Sequence, residues 1–483
     1  MQLAHAINLK VIQVILILLS LIASALIIFG MPLISRPITA SGELLVTNAF
    51  DYAKAVLLCF SLAAAVGLLC YRQNPDGEFL LALFVGALMT RILVGSVIYA
   101  YNGQAFFGGD ALTYDHYGYI QLKAWAGEKY YESVANAYVG HGANPGWGMV
   151  YIVAAIYGVL GRNLFAVQLV NSIMGAATAP LIFLCSYKLF QNLRVARFAA
   201  LAVAFYPSLV LWSSQGLKDG PIVFCLALSI LATLKLGEKF SVKYLLILVC
   251  SLFAILSLRF YIFYMLTVAI GSSFLIGLRP ITPVSFVRQA VVIMVVGLVL
   301  TYLGVTRVAS LQFERYGRLS EVQRSRLDLA TSANSGFEKD VDVSTTQGAL
   351  RVIPKGLIYL LFAPFPWQVG SLRQNITLPE MVIWWACFPL LVLGGWFSLK
   401  YRLRQIFPVA TFTVMLSIAY SMFQGNVGTA YRQRAQLLVF YFIFVAVGYV
   451  LLLERREEKK QLGSQESIPP RVAPVSPLRP TKS

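Results

Sequence analysis

The chain has 483 residues, of which 58% are hydrophobic and only 12% are charged, and its mean hydropathy is +0.72. This composition excludes a soluble globular protein. Many apolar runs reach the ~20 residues needed to cross a bilayer, so the sequence predicts a polytopic membrane protein. The net charge of +18 does not indicate nucleic-acid binding, because the lysines and arginines are spread over short loops between apolar runs.

The first apolar run, Val11 to Pro32, is longer than the ~7 to 15 residues of a secretory h-region and lacks a convincing small-residue cleavage site. We therefore expect it to remain as a membrane anchor. The six cysteines all lie in apolar runs without paired spacing. This pattern favours packing in the apolar interior over disulfide bonds or metal ligation.

Apolar windows predict an all-α polytopic membrane protein with about twelve transmembrane helices. They lie near residues 11–34, 53–71, 79–100, 164–190, 196–213, 220–236, 243–258, 260–278, 287–305, 380–399, 406–423 and 435–453. Two shorter segments, 147–160 and 352–365, are predicted to be outward-facing juxtamembrane or re-entrant helices. Residues 1–453 are expected to form one transmembrane domain, and residues 454–483 a disordered cytoplasmic tail.

An even number of spans puts both termini on one side of the membrane. If that side is the cytoplasm, most of the basic loops lie inside, as the positive-inside rule requires. Polar residues then collect in the outer loops 101–146, 306–379 and 424–434, and in the turn 213–219. We therefore predict a plasma (inner) membrane protein whose active surface is periplasmic or extracellular.

The most informative outer segment is the short run from Gly108 to Asp115, which carries two carboxylates in an otherwise apolar chain. A carboxylate near lipid is costly unless it faces water and has a function, so Asp110 is a candidate general base. Alternatively, Asp110 ends a Gly-rich turn by bonding backbone N–H groups. Asp115 is either a helper in substrate binding or a solvated loop acid. His116 and His141 lie in the same loop, but no metal-ligand spacing is recognisable.

Two later motifs supply further candidates. Asp219, preceded by Lys218, opens a predicted span, which is also the ordinary composition of a helix N-terminus. Arg432 and Arg434, next to Tyr431, make a predicted fork for a phosphate at the mouth of the last span. The alternative is that these arginines extend to lipid headgroups. A lesser phosphate candidate, between two predicted spans, is Arg259.

Three segments carry a resemblance to a known superfamily. The runs 144–148 (Asn-Pro-Gly-Trp-Gly), 161–163 (Gly-Arg-Asn) and 165–175 resemble the corresponding region of GT-C glycosyltransferases. That superfamily includes protein O-mannosyltransferases, the lipid A aminoarabinose transferase and Rgt-like bacterial core-sugar transferases. The resemblance covers roughly residues 79–260. The chain departs from the simplest family layout by two extra spans before the Asp110 loop.

The resemblance implies a polyprenyl-phosphate-linked sugar as donor and a lipid, glycan or protein hydroxyl as acceptor. It also implies that Asp110 and Asp219 are the catalytic acids. The residues expected to bind substrate are Asp115, Lys218, Arg259, Tyr431, Arg432 and Arg434. No cofactor is implied with certainty, and a divalent metal ion remains open.

Two other functions compete with this interpretation. A polysaccharide polymerase or ligase would move a whole lipid-linked glycan and would depend on the outer arginines more than on Asp110. A lipid-linked glycan transporter should show duplicated halves with broken helices at matching positions, and no convincing internal repeat is visible.

Overall fold

A computed structural model of the protein describes residues 2–35, 47–107, 109–140, 146–276, 282–331, 335–338, 341–370 and 372–466. Within these ranges every extended regular element is a helix, and the β-type pairing is an isolated antiparallel bridge between Gly336 and Asn426. The predicted all-α class is therefore confirmed.

The helices follow one another with short connections. The first ten are α1 (Gln2–Ala25), α2 (Met31–Ile34), α3 (Ala49–Tyr71), α4 (Gly77–Ala100), α5 (Gln104–Phe107), α6 (Asp110–Trp125), α7 (Lys129–Val139), α8 (Trp147–Leu160), α9 (Leu164–Phe190) and α10 (Leu193–Phe205). The others are α11 (Pro207–Ser213), α12 (Asp219–Glu238), α13 (Val242–Leu258), α14 (Phe260–Ile276), α15 (Pro283–Tyr302), α16 (Val305–Tyr316), α17 (Leu319–Thr331), α18 (Thr346–Phe362), α19 (Leu372–Phe423) and α20 (Val427–Glu466). Helix α20 continues past residue 454, where the tail was predicted to begin, and residues 467–483 lie outside the described residues.

Eight of the described helices are long and apolar enough to cross a membrane, and α10 with α11, bent by 54°, makes a possible ninth span. Helices α13 and α14 are apolar but have only 17 residues each. Helix α19 covers two predicted spans and is interrupted at Arg402, whose backbone is not helical. Each predicted span overlaps a helix, but the count of twelve is not confirmed.

Helices α9, α12 and α20 form the centre of the bundle. In their membrane-length windows 83%, 78% and 72% of the residues are buried, against 11% for the first span and 22% for α3 and α15. Helix α9 approaches α11 closely at Gly175, which has no side chain. A Cβ at this position would lie only 2.4 Å from the Cβ of Ser213. This contact fixes the position of the turn between α11 and α12.

Charged loop residues collect at one end of the bundle, away from Asp219. Arg197 pairs with Asp76 at 2.6 Å, and Lys188 pairs with Glu238. Glu238 and Asp219 stand at opposite ends of α12, whose 20 residues span about 30 Å. The connections α3–α4, α9–α10 and α12–α13 therefore lie at the end of the bundle opposite the Asp219 turn.

The predicted polar loop 101–146 is largely helical. Asp110 starts α6, which follows Gly109 with its positive φ of 70°. Helix α6 packs closely on α8, because a Cβ at Gly118 would lie 2.4 Å from Val153. The polar composition of α6 concealed the helix in the sequence. Gly108 and His141 lie outside the described residues.

Candidate active site

The two predicted catalytic acids meet at one guanidinium group. Asp110 stands in the first turn of α6 and Asp219 in the first turn of α12. Arg432 of α20 donates through Nη1 to Asp110 Oδ2 at 2.7 Å and through Nε to Asp219 Oδ2 at 2.7 Å. The folded chain thus joins residues more than two hundred positions apart into one cluster, in which both carboxylates are ion-paired.

Two more groups hold the buried carboxylate of Asp219. Arg259, in the connection between α13 and α14, places Nη2 3.5 Å from Asp219 Oδ1, and Gln436 donates to the same oxygen at 3.4 Å. Arg259 is only 8% exposed, and its Nη1 has no hydrogen-bond partner among the described residues. This atom has less than 1 Å² of exposed surface, so Arg259 acts on the cavity through its fixed positive charge.

The cluster carries an excess positive charge. It contains three cations and two acids. The cations are Lys218, Arg259 and Arg432, and the acids are Asp110 and Asp219. The N-termini of α6 and α12 add the positive ends of two helix dipoles. The site therefore favours an anion, such as a phosphate group.

Lys218 stands at the edge of this cluster, immediately before α12. Its burial lowers the pKa of its amino group to about 8, and the neighbouring Arg259 acts in the same direction. The ordinary pKa of a lysine is near 10.5. The lowered value means that Lys218 is about half-protonated in mildly alkaline solution. An anionic ligand would favour the protonated form.

A large cavity opens onto the cluster. Its volume is about 1440 Å³, above the roughly 300 to 1,000 Å³ of a typical small-molecule pocket. Three kinds of wall surround it. The charged residues are Asp110, Lys218, Arg259, Arg373, Glu380 and Arg432. The apolar ones from α4, α10 and α11 include Val94, Phe205, Val210 and Leu211, and the aromatic ones from outside the spans include Phe107, Phe337, Tyr359 and Phe365. The cavity can hold a ligand with chemically distinct parts.

The two acids differ in access to this cavity. The side chain of Asp110 is 46% exposed, whereas that of Asp219 is 1% exposed. Asp110 can therefore contact a substrate directly. Asp219 lies behind Arg432 and can act only by holding that arginine and Arg259.

Asp115 is not part of the cluster. Its carboxylate is fully buried, accepts a hydrogen bond from Tyr157 Oη at 2.6 Å and pairs with Arg162 Nη2 at 2.5 Å. Arg162 belongs to the Gly-Arg-Asn segment that carries the GT-C resemblance. The structure therefore corrects the prediction of Asp115 as a substrate-binding or solvated acid, since this pair ties α6 to the end of α8.

Substitution of Asp115 should act on stability. We expect Asp115→Asn to cost about 3–5 kcal/mol, because it leaves the guanidinium of Arg162, only 16% exposed, without its buried counter-charge. The midpoint of thermal unfolding of the purified protein in detergent measures this loss. An unchanged midpoint would contradict the structural role of the pair.

Arg434 also leaves the predicted site. Residues two positions apart point about 200° away from each other on an α-helix, so Arg432 and Arg434 do not form a fork. Arg434 instead donates to the carbonyl oxygens of Leu360, at 2.6 Å, and Ala363. Its fully buried guanidinium secures the end of α18 against α20, because it satisfies carbonyl groups that have no helical partner.

Tyr431 lies on the cavity wall and contacts an acid that the sequence did not reveal. Its hydroxyl donates to Glu380 Oε2 at 2.5 Å, and both residues line the cavity. Glu380 is not among the predicted site residues, because it occupies the first position of the predicted span 380–399. A solitary acid in an apolar run was the signal that could have identified it.

Trp212 was missed as well. Its ring lies 5.6 Å from the guanidinium carbon of Arg432 and 6.3 Å from the ring of Tyr431. It therefore forms the wall between the charged cluster and Glu380. The signal in the sequence, one tryptophan before a Ser-Ser turn, resembled an ordinary membrane-interface residue.

The described residues contain no group of three His, Cys, Asp or Glu side chains that could hold a metal ion. In addition, the space between the carboxylates of Asp110 and Asp219 is taken by Arg432. His141 lies outside the described ranges, so a divalent ion at this loop remains a prediction.

Comparison with known proteins gives a family match for part of the chain. Residues 145–304 match the family described as dolichyl-phosphate-mannose-protein mannosyltransferase. The predicted resemblance to GT-C glycosyltransferases is therefore confirmed for this third of the chain, which includes Lys218, Asp219 and Arg259. A comparison with curated proteins gave no match.

Among solved structures, the chain is similar to the archaeal oligosaccharyltransferase AglB from Archaeoglobus fulgidus, determined with an inhibitory peptide and a dolichol-phosphate. The two share 13% sequence identity with a TM-score of 0.40, over 70% of this chain and 44% of the AglB chain. The aligned part thus spans less than half of the length of AglB.

Proposed function

We propose that the protein is an integral membrane glycosyltransferase that moves a sugar from a polyprenyl-phosphate-linked donor to a hydroxyl group of an acceptor. The observation that carries the proposal is the cluster in which Arg432 joins Asp110 to Asp219 at the edge of the cavity. The family match of residues 145–304 supports the same donor class. Activity on the outer face of the membrane agrees with the distribution of basic residues among the loops.

The proposed base is Asp110. Arg432 binds its Oδ2 and thereby orients the carboxylate, and Oδ1 would accept the proton of the acceptor hydroxyl as its oxygen attacks the anomeric carbon. The bond between that carbon and the phosphate oxygen breaks in the same step. One displacement of this kind inverts the anomeric configuration. Asp219 serves as a positioning residue, since it is buried behind Arg432.

The proposed phosphate site consists of Lys218, Arg259 and Arg432. As the polyprenyl phosphate departs, negative charge grows on its oxygen atoms, and fixed cations in a cavity of low polarity stabilise that charge. Arg259 lines the cavity and contributes a fixed positive charge. The apolar wall formed by α4, α10 and α11 offers a path for the polyprenyl chain. Asp115 and Arg434 have no part in this arrangement, because both are engaged elsewhere.

The pKa of Lys218 leads to a pH-dependent donor affinity. Below pH 8 the amino group is protonated and binds phosphate, and as the pH rises through about 8 the charge is lost. We expect affinity for a polyprenyl phosphodiester, whose own charge is constant, to fall up to about tenfold per pH unit above that point. Equilibrium binding between pH 6.5 and 9.5 measures it.

The matched variant is Lys218→Arg, which keeps the charge at all these pH values. It should flatten the pH profile. A wild-type affinity that stays constant up to pH 9.5 would show that Lys218 does not contact the phosphate.

The proposed activity can be tested without knowledge of the sugar. Mass spectrometry of surface glycans, glycolipids and glycoproteins from cells with and without the gene should reveal the loss of one sugar. A missing block of several sugars would indicate a polymerase or ligase instead. Movement of a labelled lipid-linked glycan across proteoliposomes without any covalent product would establish a transporter.

A further inference from the structure

The cavity wall beside the charged cluster contains a buried acid with no ion partner among the described residues. Glu380 is 4% exposed and lies near the start of α19, within a helix that can span the membrane. One oxygen, Oε2, accepts the hydrogen bond from Tyr431. The other, Oε1, has no hydrogen-bond partner of good geometry, although Ser208 and Tyr206 face the same carboxyl group. An ionisable group left in this state within a membrane protein requires an explanation.

A second unpaired group lies next to it. Trp212 is 8% exposed, and its indole N–H has no partner among the described residues. Trp212, Tyr431 and Glu380 all line the large cavity. The lining residues therefore hold an unpaired hydrogen-bond donor and an unpaired acceptor, each with less than 1 Å² of exposed surface, next to an aromatic ring. This combination suits a ring of carbon atoms that carries hydroxyl groups, because each hydroxyl both donates and accepts a hydrogen bond.

The charge around Glu380 favours a neutral partner over a cationic one. Arg434 lies near Tyr431, with its guanidinium carbon 5.7 Å from the centre of that ring. Arg434 binds carbonyl oxygens and forms no ion pair with a carboxylate among the described residues. It supplies a nearby counter-charge for Glu380, so the site does not need an ammonium group from its ligand.

The position of this wall relates it to the phosphate site. Tyr431 and Arg432 are consecutive, so their Cα atoms lie about 3.8 Å apart. Trp212 contacts both side chains. A sugar attached to a phosphate at Arg432 would therefore lie against Trp212 with its hydroxyl groups directed toward Glu380.

From this arrangement, and resting on the proposed function, we propose that Glu380, Tyr431 and Trp212 form the subsite for the transferred sugar, that this sugar is a neutral hydroxyl-bearing ring, and that Glu380 determines which sugar is accepted. Glu380 receives hydrogen bonds from the sugar hydroxyls, and Tyr431 holds the carboxylate in position. The carboxylate of Glu380 contacts the sugar alone and does not contact the phosphate.

The experiment compares two kinds of probe on the purified full chain in lipid nanodiscs. The first is bare polyprenyl phosphate. The second is a set of three sugar-bearing lipids: polyprenyl-phosphate-mannose, polyprenyl-phosphate-glucose and an amino-sugar analogue. In the wild type, at least one neutral sugar should improve affinity over bare polyprenyl phosphate, and the amino sugar should give no further gain. In Glu380→Gln this sugar-dependent gain should fall about tenfold or more, the loss expected for a charge-assisted hydrogen bond, with affinity for bare polyprenyl phosphate within twofold of wild type.

Tyr431→Phe tests the same subsite with a smaller change and should reduce the gain less than Glu380→Gln. Its matched control is Tyr441→Phe, which removes a partly buried hydroxyl from the same helix, bonded to Ser417 and outside the cavity lining. The control should leave both affinities unchanged. A thermal unfolding midpoint for each variant identifies any that fail to fold.

The outcomes separate the subsite from the proposed function. If the wild type binds a sugar-bearing lipid better than the bare one and Glu380→Gln keeps that gain, the subsite is refuted while the transferase proposal stands. The subsite is also refuted if Glu380→Gln weakens the binding of bare and sugar-bearing lipids equally. A larger gain in affinity from the amino sugar than from every neutral sugar refutes the neutral-ligand assignment. If the wild type binds no polyprenyl phosphate at all, the proposed function fails and the subsite with it.

Discussion

Replacement of Asp110 by asparagine is expected to slow sugar transfer by about 100- to 10,000-fold, the range that a positioned general base contributes. The amide keeps the shape of the side chain and can still accept a hydrogen bond from Arg432, so the fold should persist. Because the base acts only in the transition state, donor affinity should change little. Turnover of a polyprenyl-phosphate sugar by the purified variant, with donor binding measured in parallel, tests this expectation.

Asp115→Asn is the matched control, since it makes the same chemical change five residues further along α6. The two variants should separate activity from stability. Asp110→Asn should lose turnover with an almost unchanged unfolding midpoint, and Asp115→Asn should lower the midpoint while its folded fraction stays active. Normal turnover by a well-folded Asp110→Asn protein would eliminate Asp110 as the base.

Replacement of Arg432 by glutamine is expected to damage both stability and donor binding. Arg432 is 14% exposed and pairs with Asp219, which is 1% exposed. Without the guanidinium, the buried carboxylate retains Arg259 at 3.5 Å and the neutral amide of Gln436 at 3.4 Å, and the loss should cost about 3–5 kcal/mol. Affinity for polyprenyl phosphate should fall about 10- to 100-fold, because a charge-assisted hydrogen bond to the phosphate is removed.

A double-variant cycle distinguishes the two effects. Adding Asp219→Asn to Arg432→Gln removes the unpaired buried charge, so the double variant should recover part of the lost stability. It should not recover donor binding, since the cation is still absent. Strict additivity of the two stability changes would show that the ion pair has no energetic role, and recovery of binding would assign the phosphate to Asp219's other neighbours.

The sequence by itself determined the class of the protein. Apolar runs of membrane length require helices, because lipid offers the backbone no hydrogen-bond partner, and this physical constraint made the all-α prediction secure. The sequence did not determine the exact number of spans. Hydropathy does not register the bend between α10 and α11 or the break at Arg402 within α19.

The sequence also identified most of the charged cluster. Asp110, Lys218, Asp219, Arg259 and Arg432 stood out because a charge at a membrane boundary is expensive and needs a purpose. The same reasoning failed for Asp115 and Arg434. Asp115 forms an internal ion pair with Arg162, and Arg434 donates hydrogen bonds to backbone carbonyl groups. Composition cannot distinguish a buried structural charge from one that faces a ligand.

Only the tertiary structure decided which of these residues act together. One guanidinium from α20 reaches the first turns of both α6 and α12, and no local pattern links those three helices. The 100° rotation per residue along α20 sends Arg432 into the cavity and Arg434 to the end of α18. Glu380 and Trp212 became visible for the same reason, since burial and an unpaired polar atom are properties of packed neighbours and not of the residues themselves.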